Sequence, residues 1–273
     1  YKPSTYTGNN LGISVYAKNK KLVDFGGNIN AEIGKQYDYF EPRTEGRYFI
    51  FKNILNSNVW FSTDYAKTFA LDGNVGFVTM FDPERDLFFY WLGISPRVRF
   101  NEKFSMNYDV NLNLGGGSRG YVTDIEDDII FGERDQNTIV NSISGNYNFN
   151  SFHGLTLTFR NYWTTVDYDN QLFTLLENGN LSTEDNYTLD EVEDPNVNFN
   201  TWNLDFRYSW QFAPGSQLIA LYRNELFNSD TASSDSYIES LNTLFKQPAK
   251  HCFSLKLIYY LDYNNIKNTF NKK

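Results

Sequence analysis

Carboxylates are the commonest chemistry-bearing side chains in this sequence, with 33 Asp and Glu against 24 Lys and Arg. Two short runs stand out: Asp190, Glu191, Glu193 and Asp194, and the contiguous Glu126, Asp127 and Asp128. Oxygen ligands in such runs can hold Ca²⁺, which takes about six to eight of them. An EF-hand loop would add a central Gly at fixed spacing, and neither run has one. A solvated acidic loop is therefore the first reading and a loop Ca²⁺ ion the second. Paired carboxylates can also cleave glycosides as acid and base or nucleophile, but a chain this acidic offers pairs everywhere, so the pattern selects none. His153 and His251 are the only two histidines and leave little for imidazole metal or acid–base chemistry. The single cysteine, Cys252, excludes disulfides and multi-thiolate metal sites and reads as structural. Gly115–Gly116–Gly117, ahead of Ser118 and Arg119, lacks the spacing of a phosphate-binding loop and reads as a turn or strand end. Trp60, Trp91, Trp163, Trp202 and Trp210 could stack on sugar rings, but they read first as girdle or lipid-facing aromatics. The sequence offers no catalytic set, and the chain is expected to be non-enzymatic and to need no cofactor.

The elements that would position any site are strands. The chain has 273 residues, a net charge of −9 and 18% aromatic residues. It holds 34 Asn, mostly beside aromatics, and its mean hydropathy is −0.52. This composition argues against a helical bundle, against disorder and, with its acidic balance, against nucleic acid. Period-2 alternation is clearest at 203–212. Leu204, Phe206, Tyr208, Trp210 and Phe212 share one face there, and Asn203, Asp205, Arg207, Ser209 and Gln211 share the other. The same pattern recurs at 104–114, at 155–163 with Asn161 breaking the apolar face, and at 253–263. Noisier strands fall at 23–33 and 69–81, with others near 11–18, 45–52, 57–67, 85–99, 137–149 and 215–227. The total is about 12 strands of about ten residues, the length that crosses a bilayer at a tilt.

The connections predicted by this reading have two lengths. Tight ones fall at Lys18–Lys21, Asp82–Arg85, Asn101–Lys103, Asn150–Gly154 and Ala213–Gly215. Long acidic ones span 115–136, 169–198 and 228–250. No useful helix is expected, and no apolar run exceeds the six residues Leu87 to Leu92, which excludes a transmembrane helix. The start, YKPSTYTGNN, has no signal-peptide pattern, so the chain reads as a mature form or a fragment.

A soluble β-sandwich binding module also alternates and is the alternative. Three features favour the membrane barrel. The apolar face persists for ten or more residues. Aromatics cluster at strand ends. The other face stays polar. The expected lipid-facing or girdle aromatics are Tyr208, Trp210, Phe212, Trp163, Tyr259 and Tyr263. Asp205, Arg207 and Lys256 are expected to face the lumen. Pro214 and Gly215 are expected to form a type II-like periplasmic turn.

Several segments carry a family resemblance: EPRTEGRYF (41–49), STDYAKTFALDGNVGF (62–77), SPRVRFNEKFSMNYD (95–109), IIFGERDQNTIVNSISGNYNF (129–149), WNLDFRYSWQFAPGSQL (202–218) and FSLKLIYYLDYN (253–264). The chain resembles the C-terminal half of an uncharacterised family of Bacteroidota outer-membrane proteins. Members usually carry a signal peptide and a family-9-type carbohydrate-binding domain ahead of a large β region. The resemblance implies an antiparallel outer-membrane β-barrel over 1–263, here its C-terminal part, with a short basic tail at 264–273. The sugar-binding label belongs to a domain outside this sequence. The functions then expected are a subunit or scaffold of an outer-membrane assembly, or else a porin-like or glycan-uptake component. The expected partners are the lipid bilayer, other outer-membrane proteins and glycans.

Overall fold

The computed structural model describes residues 5–83 and 85–261. Its strands are β1 (Leu11–Lys18), β2 (Asp24–Asp38), β3 (Phe49–Ser62), β4 (Phe69–Met80), β5 (Phe88–Arg99) and β6 (Phe104–Ile125). They continue as β7 (Asp128–Asn150), β8 (His153–Leu175), the two-residue β9 (Leu181–Ser182), β10 (Val197–Ala213), β11 (Ser216–Asp230) and β12 (Lys250–Ile258). One helix, α1 (Tyr237–Leu244), lies between β11 and β12. All strands join one antiparallel 12-stranded sheet in the order β1-β2-β3-β4-β5-β6-β7-β8-β10-β11-β12, with β9 paired to β8. Among the described residues the sheet does not close; β1 and β12 are its two edges. No helix of the described residues is long and apolar enough to cross a membrane.

The sheet curls. Phe49 of β3 and Phe131 of β7 have ring centroids 5.1 Å apart, whereas four strand spacings in a flat sheet would separate them by about 19 Å. Gly179, just beyond β8, likewise accepts the Ile50 N–H at 2.9 Å. These contacts form on the side that carries Ile54 and Met80, so that side is concave.

The connections sort by end. Those at 19–23, 63–68, 100–103, 151–152 and 214–215 share the end with the short turns. Those at 39–48, 81–87, 176–196 and 231–249 share the other, together with the long projecting tips of β6, β7 and β8.

Four expectations change here. The segments 45–52 and 57–67 are one strand, β3. Asn53 takes a left-handed φ of 54° beside the register shift between Glu32 and Lys35, so the alternation slips within a continuous strand. The expected loop 115–136 is mostly the tips of β6 and β7 around a turn at Glu126, whose φ is 53°. Ile129, Ile130 and Phe131 are all buried there, which erases the period-2 signal. The expected loop 169–198 contains the end of β8, β9 and a 3₁₀ turn, Leu189–Glu191. The loop 228–250 contains α1, where no helix is expected from the sequence. Tyr263 and the tail 264–273 lie outside the described residues.

A small core fills the space beneath the projecting tips. Phe49, Ile129, Phe131 and Leu175 are buried there, with Phe51, Tyr121, Phe173 and Leu181 packed around them.

Candidate membrane face and polar inner face

The strand register turns alternation into two continuous surfaces. On the convex side Val15, Gly27, Val59, Val75, Leu92, Leu112, Ile139 and Trp163 stand in one cross-strand row from β1 to β8. Nearer the short turns, Phe69, Val98, Met106, Gly145, Leu157, Phe206, Tyr222 and Phe253 form another. Large apolar side chains on this face stay open to solvent, Ile13 at 74% and Phe253 at 79% among them. Apolar exposure on this scale is well beyond the scattered apolar residues of an ordinary surface.

The concave side carries a different row. Ser14, Asn28, Asn58, Gly76, Trp91, Asn113, Thr138 and Thr164 run across the same strands. Trp91 Nε1 donates to Asn58 Oδ1 at 2.9 Å across it. Gly76 leaves room for that indole, since a Cβ there would lie 2.3 Å from the Trp91 ring. Asp205 and Arg207 lie on this concave face. The Arg223 guanidinium donates to both Asp205 oxygens at 2.6 Å, a two-pronged pair. Arg207 sits opposite Leu221, and Lys256 opposite Ile219.

Tyr208 and Trp210 lie on the apolar convex face. At the short-turn end, aromatic rings touch in a chain along the sheet. Phe100 stacks on Phe104 at 4.9 Å, Phe104 meets Tyr147 at 6.4 Å, and Tyr147 meets Phe149 at 4.9 Å. Farther along, His153 stacks on Trp210, Trp210 meets Phe212, and Phe212 stacks on Tyr259. The Pro214–Gly215 turn joins β10 to β11 in this region. Ala213 pairs with Ser216, and Gly215 has the positive φ, 75°, that its turn position requires.

Trp163 differs from the other aromatics expected on that face. It lies on the convex face but is only 5% exposed, because α1 covers it and Tyr237 meets its ring edge-on at 5.6 Å. Around it the apolar face turns polar, with Asn141, Asn161, Asn198 and Asn200 on neighbouring strands. Tyr237 Oη donates to Asn161 Oδ1 at 2.8 Å and accepts from Asn141 Nδ2 at 3.0 Å. Asn198 and Ser240 exchange hydrogen bonds at 2.9 and 3.1 Å, and Asn161 Nδ2 donates to Asn200 Oδ1 at 2.8 Å. Leu244 is fully buried beneath the same helix. The sequence held two signals of this patch: Asn161 breaks an apolar face, and Ser236-x-x-Glu239 forms a capping box.

The acidic runs are used locally. Glu191 Oε2 accepts the Thr188 N–H at 3.0 Å, and Asp194 Oδ1 accepts the Asn196 N–H at 3.0 Å. Asp128 accepts from the Tyr187 hydroxyl at 3.0 Å. Among the described residues no three His, Cys, Asp or Glu side chains are grouped to hold a metal ion.

Residues 1–270 match the sequence family described as a domain of unknown function, DUF5916. The chain belongs to the DUF5916 family. No curated protein and no solved structure matches this DUF5916 chain.

Proposed function

We propose that this DUF5916 chain is the C-terminal part of an outer-membrane β-barrel of a Gram-negative, Bacteroidota-type bacterium. In this reading it serves as a non-enzymatic subunit or scaffold of a larger outer-membrane assembly. The observation that carries it is the convex apolar face, which runs across the curled sheet except for the polar patch beneath α1 and is backed by a polar concave one. From Phe88 to Val98, at about 3.4 Å per residue and a tilt of about 40°, β5 covers about 26 Å, close to the ~25 Å apolar band of outer-membrane barrels. The chain of aromatic rings at the short-turn end supports an interfacial girdle there. The sorting of short and long connections to opposite ends supports short periplasmic turns and a longer outer surface. Residues Tyr208, Trp210, Phe212 and Tyr259 take lipid-side or girdle positions in this reading, and Asp205, Arg207 and Lys256 face the lumen.

The open edges at β1 and β12 support a larger wall. Unpaired strand edges cannot face lipid, because nothing there replaces water as a hydrogen-bond partner. Further strands complete the barrel between them. The polar concave row supports a second reading, a porin-like channel or glycan-uptake component.

Extraction of the full-length protein from outer membranes in mild detergent tests the proposal, by identifying what co-purifies at fixed ratio. Stoichiometric membrane partners support the scaffold. A lone particle with single-channel conductance moves the function to the channel. Partition of the protein into the aqueous phase without detergent contradicts the barrel and favours a soluble β-sandwich module.

A further inference from the structure

Under the projecting tips, the concave face holds three arginines. Arg85 comes from the β4–β5 connection, Arg119 from β6 and Arg134 from β7. They line a cavity of about 180 Å³ with Ser118, Phe49 and Phe51. The curl that brings Phe49 to Phe131 also builds this cavity, since Phe49 and Phe51 of β3 line it together with Arg119 of β6 and Arg134 of β7.

The carboxylates around the cavity already have partners, two of them the cavity's own arginines. Asp38 Oδ1 takes the Phe40 and Glu41 N–H groups at 2.7 and 3.0 Å. Glu41 Oε1 takes the Tyr121 N–H at 2.9 Å and stands 3.9 Å from Arg134. Glu133 pairs with Arg119 at 2.7 Å, and Asp82 with Lys52 at 3.6 Å. The donors are not used up. Among the described residues the Arg85 side chain gives one bond, to the Gly117 carbonyl at 3.2 Å, and the Arg134 side chain one, to the Tyr168 hydroxyl at 2.7 Å. The Nε–H of Arg85 and the Nε–H of Arg134 are both buried without a hydrogen-bond partner. Among the described residues no carboxylate forms an ion pair with Arg85 within 4.0 Å. Burial, and then the neighbouring Arg119 cation, lower the Arg85 guanidinium to about 10 against the opposing pull of Glu133 and Asp82. A buried donor left unpaired is costly, and a guanidinium Nε–H edge suits a carboxylate or phosphate oxygen.

We infer that this cavity is a binding site for an oxyanion, a carboxylate or phosphate group carried on a small apolar or ring-bearing molecule. The guanidinium N–H groups of Arg85 and Arg134 that line the cavity hold its oxygens, and Phe49 and Phe51 face its apolar part. The site does not depend on the membrane reading, because its groups belong to the projecting end and not to the apolar belt.

Calorimetric titration of the purified full-length protein with inorganic phosphate, phenyl phosphate and benzoate, with benzyl alcohol as the neutral control, tests it. Saturable binding of at least one anion and none of the alcohol is expected. A preference for phenyl phosphate marks a phosphate site, and a preference for benzoate marks a carboxylate site. R85Q and R134Q are each expected to weaken binding at least tenfold. E41Q is expected to tighten it, since it removes the charge that competes for Arg134 while keeping an acceptor for the Tyr121 N–H. A gain of affinity cannot come from misfolding. Absence of saturable binding by all three anions in the wild-type protein overturns the inference. So does unchanged affinity in folded R85Q and R134Q.

Discussion

Tyr237 Oη donates to Asn161 Oδ1 at 2.8 Å, joining the α1 helix to β8 across 76 residues of chain. The same hydroxyl accepts from Asn141 on β7, so one oxygen ties three elements together. Y237F keeps the ring against Trp163 but strands two amide groups beneath the helix. The expected cost is about 1–3 kcal/mol, because a buried polar group that loses its partner keeps its desolvation penalty. Hydrogen exchange over 237–244 is expected to rise in Y237F with little change in β4 and β5. Unchanged exchange in α1 would show that the hydroxyl does not hold the helix.

Helix α1 is also pH-sensitive at its first turn. Glu239 accepts from the Ser236 N–H at 2.9 Å and from its hydroxyl at 2.6 Å, and these bonds lower its pKa from the ordinary 4.5. A lowered folded pKa gives stability that is present above about pH 4.5 and lost as pH falls through the folded value. Exchange in α1 should therefore accelerate below pH 4.5 in the wild type. E239Q should flatten that dependence. An acid response of equal size in E239Q would assign it to another group.

Neighbouring positions on one strand should respond in opposite ways to the same charge. Leu112 lies on the convex face of β6 and Asn111 on the concave face. In a lipid-facing wall, L112R is expected to cost about 2–4 kcal/mol near the bilayer midplane. N111R adds a cation to the exposed polar face, beside Asn74, and is expected to cost less than L112R. Urea unfolding in lipid vesicles measures both. Equal destabilisation would remove the distinction between the faces.

The β10–β11 turn rests on one backbone angle. Gly215 sits at φ 75°, and a Cβ there would also lie 2.9 Å from the Tyr260 Cβ. G215A is expected to lose about 1–2 kcal/mol from left-handed strain alone. P214A, which frees only the unfolded chain, should lose less than about 1 kcal/mol. Thermal midpoints in detergent should fall in that order.

Much of the sheet was legible because one face is chemically uniform. At 203–212 alternation alone separates Tyr208 from Arg207, and the register keeps them on opposite faces. The signal failed where both faces are covered, as at Ile129–Ile130–Phe131, and where Asn53 bends β3 without ending it. Helix α1 was missed because eight residues give too few turns for a 3.6-residue period to stand out. The arginine cavity was not readable at all. Arg85, Arg119 and Arg134 carry no common motif; the β6–β7 register brings Arg119 and Arg134 together, and the β4–β5 connection adds Arg85.

In the proposed barrel the convex face meets lipid and the concave face meets water. Single cysteines at Leu112, Asn113, Phe206 and Arg207, introduced into full-length C252S protein, test it directly in outer-membrane vesicles. Each is labelled with a fluorophore and quenched from nitroxide lipids or from an aqueous quencher. Lipid quenching at 112 and 206 with aqueous quenching at 113 and 207 is the predicted result. Aqueous quenching at all four positions, with none from lipid, would contradict the account.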